Sequence, residues 1–176
     1  LALACAEAAP PTEDFGVVLG TDARLAIAVD DTALVAYVCG GPTTLGALTV
    51  WFVGAASATH LENGAASLEL TRTATGTSGT LRTMAGDVLR FSAERAPEGA
   101  EAGLYHTLDR GCRTGLVLDP VRGAQGVWCD GEGHAAQVDP GSPAFDDDRR
   151  LVQVVRPDGP AELELVRISP GELYRP

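Results

Sequence analysis

Ala23-Arg-Leu-Ala-Ile-Ala-Val-Asp-Asp-Thr-Ala-Leu-Val-Ala-Tyr-Val-Cys39 sets the pattern for the whole chain. Two short apolar runs, 23–29 and 32–39, flank Asp30-Asp31, which reads as a two-residue hairpin loop. In that register Ile27 faces Leu34 and Leu25 faces Ala36. Neither run shows a 3.6-residue stripe, so both read as strands.

The same punctuation continues outward. Residues 49–54 carry Val50, Trp51, Phe52 and Val53, apolar on both faces as in a core strand. Residues 67–73 alternate Leu68 and Leu70 against Glu69 and Thr71, the pattern of a half-exposed strand. Residues 74–79 read as a Thr/Gly/Ser turn, followed by strands at 80–84 and 87–94 with Leu89, Phe91 and Ala93 on one face. After a loop at 96–102 come strands at 103–108, 113–118, 124–129 and 134–138. A Pro/Gly/Asp loop spans 139–148, and a last hairpin, 150–156 with 161–169, turns at Pro157-Asp-Gly-Pro160. About a dozen short strands imply an all-β chain. An antiparallel meander closed into a β-barrel, or a two-sheet β-sandwich, would remove its exposed edges.

The start has another character. Leu1-Ala-Leu-Ala-Cys5 fits the end of an export signal, with Ala2-Leu3-Ala4 as the small-residue cleavage pattern. It also resembles a bacterial lipoprotein signal, which makes Cys5 the lipidation candidate. Residues 6–14 follow as a polar, Pro-stiffened tether. The expected organisation is a signal remnant and tether at 1–16 and one β domain at 17–176. The expected location is extracytoplasmic, secreted or lipid-anchored at a bacterial cell envelope.

The net charge of −11 makes nucleic acid a poor partner, because phosphate backbones are repelled. All 13 basic residues are arginine, which with heavy Ala, Gly and Val usage suggests a GC-rich bacterial genome. No apolar run approaches the roughly 20 residues a spanning helix needs, so a membrane enters only through a lipid anchor. A monomer is expected.

Ala36-Tyr-Val-Cys-Gly-Gly41, Phe91-Ser-Ala93, Ala102-Gly-Leu-Tyr-His106 and Gly115-Leu-Val-Leu-Asp-Pro120 occur in that order, with Trp51 between the first two. This series resembles a group of uncharacterised exported actinobacterial-type proteins that run A-Y-V-C-D-G, F-x-A, G-L-Y-R and G-W-x-V-L-P-D-G. Gly40, His106 and Leu116 depart from that pattern, standing where Asp, Arg and Trp are usual. The resemblance implies export and a β domain, and lends no catalytic residues. A weaker internal echo links Ala36-Tyr-Val-Cys-Gly-Gly41 to Gly126-Val-Trp-Cys-Asp-Gly131, and Gly103-Leu-Tyr-His106 to Glu172-Leu-Tyr-Arg175. Convergent strand-then-turn composition accounts for it more simply than two related half-barrels.

The four cysteines are Cys5, Cys39, Cys112 and Cys129. A hairpin centred on Asp119-Pro-Val-Arg122 would oppose Cys112 to Cys129, which favours that disulfide. A bridge from Cys39 to Cys129 or Cys112 is the alternative. With lipid on Cys5, Cys39 is left as a buried thiol. Zinc finds no C-x-x-C or H-x-x-x-H spacing, and no cofactor is expected.

His60, His106 and His134 are the histidines available to a hydrolase, but no motif places one beside a nucleophile. Ser78 lacks the G-x-S-x-G frame and reads as a turn residue. Asp130, Glu132, Asp146, Asp147 and Asp148 are the candidate calcium ligands, although solvated acidic turns explain them better. Trp51, Tyr105, His106, Trp128 and His134 are the ligand-binding candidates. Tyr37 and Tyr174 complete the set of Trp and Tyr rings, and exposure separates a binding ring from a core anchor. Three functions follow in order: a non-enzymatic envelope domain that binds a partner or fills a structural role; a barrel carrier of a small apolar or aromatic ligand; and a secreted hydrolase. The partner would be a protein, a glycan or a small molecule.

Overall fold

The computed structural model describes residues 10–140 and 148–174. The described residues form two antiparallel, nearly closed barrel-like sheets within one all-β domain. The first holds β1 (Thr12–Val18), β2 (Arg24–Val29), β3 (Ala33–Cys39), β4 (Val50–Ala55), β5 (His60–Asn63), β6 (Ala66–Arg72), β7 (Gly76–Arg82) and β8 (Val88–Arg95). The second holds β9 (Gly103–Asp109), β10 (Cys112–Asp119), β11 (Gly123–Cys129), β12 (Ala135–Gln137), β13 (Arg149–Arg156) and β14 (Gly159–Arg167). Two single-turn helices, α1 (Leu45–Leu48) and α2 (Pro170–Leu173), punctuate the strands.

Both sheets obey one rule: each is a meander whose last strand returns to pair with its first. In the eight-stranded sheet β8 pairs with β1, and the gap falls between β4 and β5. In the six-stranded sheet β14 pairs with β9, and the gap falls between β12 and β13. Side chains span the first gap, where Asn63 Nδ2 donates to the Trp51 carbonyl at 2.7 Å. The second gap is narrowed by a bridge between Asp139 and Gln153, whose backbone groups exchange bonds of 2.7 and 2.8 Å. At the β1–β8 closure a Cβ on Gly16 would land on the Ser92 carbonyl oxygen, so this close approach requires glycine.

Three apolar clusters follow from the alternation. Leu25, Ile27, Leu34, Ala36, Phe52, Leu68, Leu81 and Phe91 fill the larger barrel. Tyr105, Leu116, Trp128, Val152, Val154 and Leu165 fill the smaller one. Between them lies the third cluster, with Phe15, Ala26, Ala28, Val35, Tyr37 and Cys39 from one side and Leu104, Val117 and Val127 from the other. The continuous apolar runs of β2 and β3 now have a cause: each strand is covered on both faces, by its own barrel and by the other. The small Ala26 and Ala28 face the second barrel and let the two sheets come close. The choice between barrel and sandwich is thus answered by two barrel-like sheets packed against each other.

Several expectations need correction. The segment read as tether to residue 16 enters the fold early: β1 begins at Thr12 and pairs with strands on both sides. The first hairpin turns on Asp31-Thr32, so Ile27 faces Ala36 and Leu25 faces Val38. Asp30 moves the turn by accepting bonds from the Thr32 and Ala33 N–H groups, both at 2.8 Å. Residues 76–79 belong to β7, paired Thr71↔Ser78 and Ser78↔Ser92, where a turn was expected. β4 lies at the margin of its sheet: Phe52 is buried, but Val53 is exposed.

The Cys112–Cys129 disulfide is present. Its hairpin is offset by one residue from the expected register, running Asp119↔Gly123 to Gly115↔Val127 and ending before the cysteines. Cys39 is buried and free, its thiol pushed up to about 12 by burial. The echo at 36–41 and 126–131 begins in the third strand of each meander, β3 and β11, whereas Glu172 and Leu173 of the second echo lie in α2. No helix among the described residues is long and apolar enough to cross a membrane.

Candidate functional site

The two barrels meet along a seam that opens at one end into a cleft of about 1210 Å³. Its walls are the start of β1, the β2–β3 turn, the ends of β6 and β8, the start of β13 and the segment leaving β14. Arg72, Arg95, Arg149 and Arg167 line it, with Asp14, Asp30, Asp31 and Asp148.

Two adjacent acids of β1 underpin this cleft. Strand alternation sends Glu13 and Asp14 to opposite faces. Glu13 points to the second barrel, where it accepts the Leu104 N–H at 3.0 Å and Arg167 Nη2 at 2.5 Å. Asp14 points into the first barrel, where it accepts Thr77 Oγ1 at 2.5 Å and pairs with Arg95 Nε. They are only 5% and 2% exposed, so burial demands the partners they have. Burial pushes the Glu13 carboxyl up, and the Arg167 charge and the Leu104 N–H only partly offset it. The sequence reading missed both acids, because Thr12-Glu-Asp14 looks like solvated tether and their partners lie 81 and 154 residues away.

Elsewhere the seam is stitched by polar side chains. Arg24 Nη1 donates to the Gly123 carbonyl at 2.5 Å, Gln125 Nε2 to the Cys39 carbonyl at 2.8 Å and Gln137 Nε2 to the Gly40 carbonyl at 2.8 Å. Trp51 and His106 come together here. Trp51 stacks on Tyr37 with ring centroids 4.0 Å apart and meets His106 edge-on at 6.4 Å. A Cβ on Gly115 would sit 2.5 Å from Tyr37 and 2.6 Å from Trp51, so β10 keeps a glycine against the stack. Trp51 Nε1 donates to the Arg113 carbonyl at 3.1 Å, and Arg113 Nη1 donates to His106 Nδ1 at 2.9 Å. That acceptor role leaves the ring proton on Nε2. Burial and the Arg113 charge push His106 down to about 4. The ring is therefore neutral near pH 7, with Nδ1 already engaged.

Tyr105 and Trp128 are buried inside the smaller barrel, which makes them core anchors by the exposure criterion. Arg150 lies over Tyr105 at 5.3 Å and Arg156 over Trp128 at 5.8 Å. Trp128 Nε1 donates to Asp109 Oδ2 at 2.7 Å, and Arg156 pairs with the same carboxylate at 2.9 Å. Both barrel interiors are filled by side chains, so a ligand in either lumen would have to displace core residues.

His134 sits apart from this seam, in the turn after β11. Asp130 Oδ1 accepts the Glu132 and His134 N–H groups, each at 2.9 Å, and Oδ2 lies 2.8 Å from His134 Nδ1. The bond and charge of Asp130 raise His134 above the ordinary imidazole range. Asp130, Glu132 and His134 could each offer a ligand atom within 4.8 Å of one another. A cation there would compete with the bonds that close the turn. Asp148 lies away from that group, on the seam cleft. Asp146, Asp147 and Cys5 lie outside the described residues. Ser78 is exposed on β7. Comparison with known protein families, with curated proteins and with solved structures finds no match.

Proposed function

We propose that this chain is a non-enzymatic domain of the bacterial cell envelope, exported, anchored by lipid on Cys5, and binding its partner in the seam cleft. The observation that carries the binding role is the cleft itself, an open cavity walled by both barrels, with the buried Asp14 in its lining and the buried Glu13 behind Arg167. Function placed on loops and strand ends of a rigid scaffold is the common arrangement. The disulfide is compatible with an oxidising compartment and supports export. The filled interiors favour surface binding over a carrier role. None of the three histidines lines the cleft, and His106 has its Nδ1 taken by Arg113, which favours binding over hydrolysis there.

Fractionation of producing cells tests the location. The protein should partition with membranes and take up labelled fatty acid, and Cys5→Ala should release it to the medium. A cytoplasmic pool with reduced Cys112 and Cys129 would overturn export.

A further inference from the structure

We propose that the seam cleft takes a carboxylate-bearing ligand, gripped by Arg72, Arg95, Arg149 and Arg167; this rests on the binding role proposed for that cleft.

Four of the chain's 13 cationic residues converge on one cleft in a protein of net charge −11. They come from four different strands, β6, β8, β13 and β14, and so from both barrels. Their counter-ions do not use up their donors. Asp14 and Glu13 are buried beneath, each taking one nitrogen of its arginine: Nε of Arg95 and Nη2 of Arg167. A guanidinium has five N–H donors, so one bond fixes its position and leaves others for a ligand. Arg95 also reaches the Thr73 carbonyl at 3.4 Å. Arg149 meets Glu164 at 3.1 Å in a pair that is more than half exposed on both sides, which a ligand carboxylate can replace at little cost. Arg72 donates to the Ala56 carbonyl at 2.5 Å and has no carboxylate partner among the described residues.

Four acids share the walls with the four arginines: Asp31 and Asp148 are exposed and compete for them, with the Asp148 charge acting on Arg167, whereas Asp14 and Asp30 are already bonded. Both oxygens of Asp30 are taken, Oδ1 by Thr32 N–H, Thr32 hydroxyl and Ala33 N–H, and Oδ2 by Gly171 N–H. Asp14 is buried and paired. Guanidinium forks match carboxylates in bidentate geometry, and arginines held from below lose little freedom on binding. The overall negative charge works against loose, non-specific anion binding, so a carboxylate must be held by specific guanidinium contacts.

The test is an amide-shift titration of the full chain, disulfide intact, at low ionic strength near pH 7. Citrate is the carboxylate probe and chitotriose the neutral one. Citrate should shift Thr12, Asp31, Thr73 and Ser169 together. Arg72→Ala and Arg149→Ala, both exposed and outside the core, should each weaken citrate about tenfold, the size of one charge-assisted bond. Asp31→Asn, which removes an exposed acid from the wall, should strengthen citrate about twofold. Citrate affinity unmoved by all three substitutions would overturn the assignment. Chitotriose shifting the cleft while citrate does not would overturn the ligand class and leave the binding role standing. Neither probe shifting the cleft would count against both.

Discussion

The larger barrel is filled by aliphatic residues and two phenylalanines, whereas the smaller one encloses Tyr105 and Trp128 beneath the guanidiniums of Arg150 and Arg156. Eight strands leave an interior that side chains alone can fill. Six strands close a narrower space, and here two broad rings occupy it. On β13 the inward-facing residues run Arg150, Val152, Val154, Arg156, so the same strand supplies apolar filling and a cation at each end. Arg150 reaches Glu101 at 3.4 Å and Arg156 reaches Asp109 at 2.9 Å, which keeps both cations paired. The smaller barrel also carries the disulfide, between β10 and β11. One barrel relies on apolar volume; the other combines rings, cations and a covalent link.

That contrast can be attacked by mutation. Phe52→Ala in the larger barrel and Trp128→Ala in the smaller should each cost about 3–5 kcal/mol in urea unfolding. If the inter-barrel cluster couples the two, both variants unfold in one transition. Two separated transitions in Trp128→Ala would show that the barrels are independent cooperative units. Next, replacing Cys112 and Cys129 by Ser should cost about 3 kcal/mol, as expected for a loop closed over 17 residues. A loss below about 1 kcal/mol would mean that rings and cations suffice for the smaller barrel.

The seam where they meet should respond to acid. His106 is held at about 4 in the fold, against 6.5 for the free side chain. The unfolded chain therefore takes the proton first. The contribution is complete above pH 6.5 and is lost as pH falls toward 4, by about 3 kcal/mol at most. His106→Gln keeps an acceptor for Arg113 without titrating and should flatten this part of the stability–pH curve. An unchanged curve would remove His106 from the account. His134 has the opposite sign, since Asp130 raises it: its contribution is present below pH 6.5 and fades as pH rises through the folded value. The smallest effect is expected at the cations. Arg156→Met should keep the packing stem and lose about 1–2 kcal/mol of ring and ion-pair contact. A gain in stability would show that the buried charge is a burden to this barrel.

Much of the scaffold was legible because local patterns carry it. Leu68 and Leu70 against Glu69 and Thr71 announce β6, whereas the last turn, expected over Pro157–Pro160, is tightened to Pro157-Asp158 with Gly159 and Pro160 already in β14. The Cys112–Cys129 pairing could be read from a turn signal even though its register was off by one. Other parts had no local sign. β7 buries Leu81 and Thr77 among small polar residues, so its membership depends on neighbours rather than on its own apolar content. β1 opens with two acids that are buried only because distant arginines meet them. The cleft joins residues from opposite ends of the chain, and short-range spacing cannot assemble it. Trp51 and His106 meet at the seam, and only the fold could place Arg113 between them.

The return of β8 to β1 and of β14 to β9 has a kinetic consequence. Chain emerging from its N-terminus makes β2, β3 and β4 early, yet β1 lacks its second neighbour until residues 88–95 arrive. Closure of each ring thus depends on a pairing of long sequence separation, which slows folding because the intervening chain must first be ordered. A chain that cannot complete its first ring until residues 88–95 have been made spends longer in the unfolded form. That delay would serve the export proposed above.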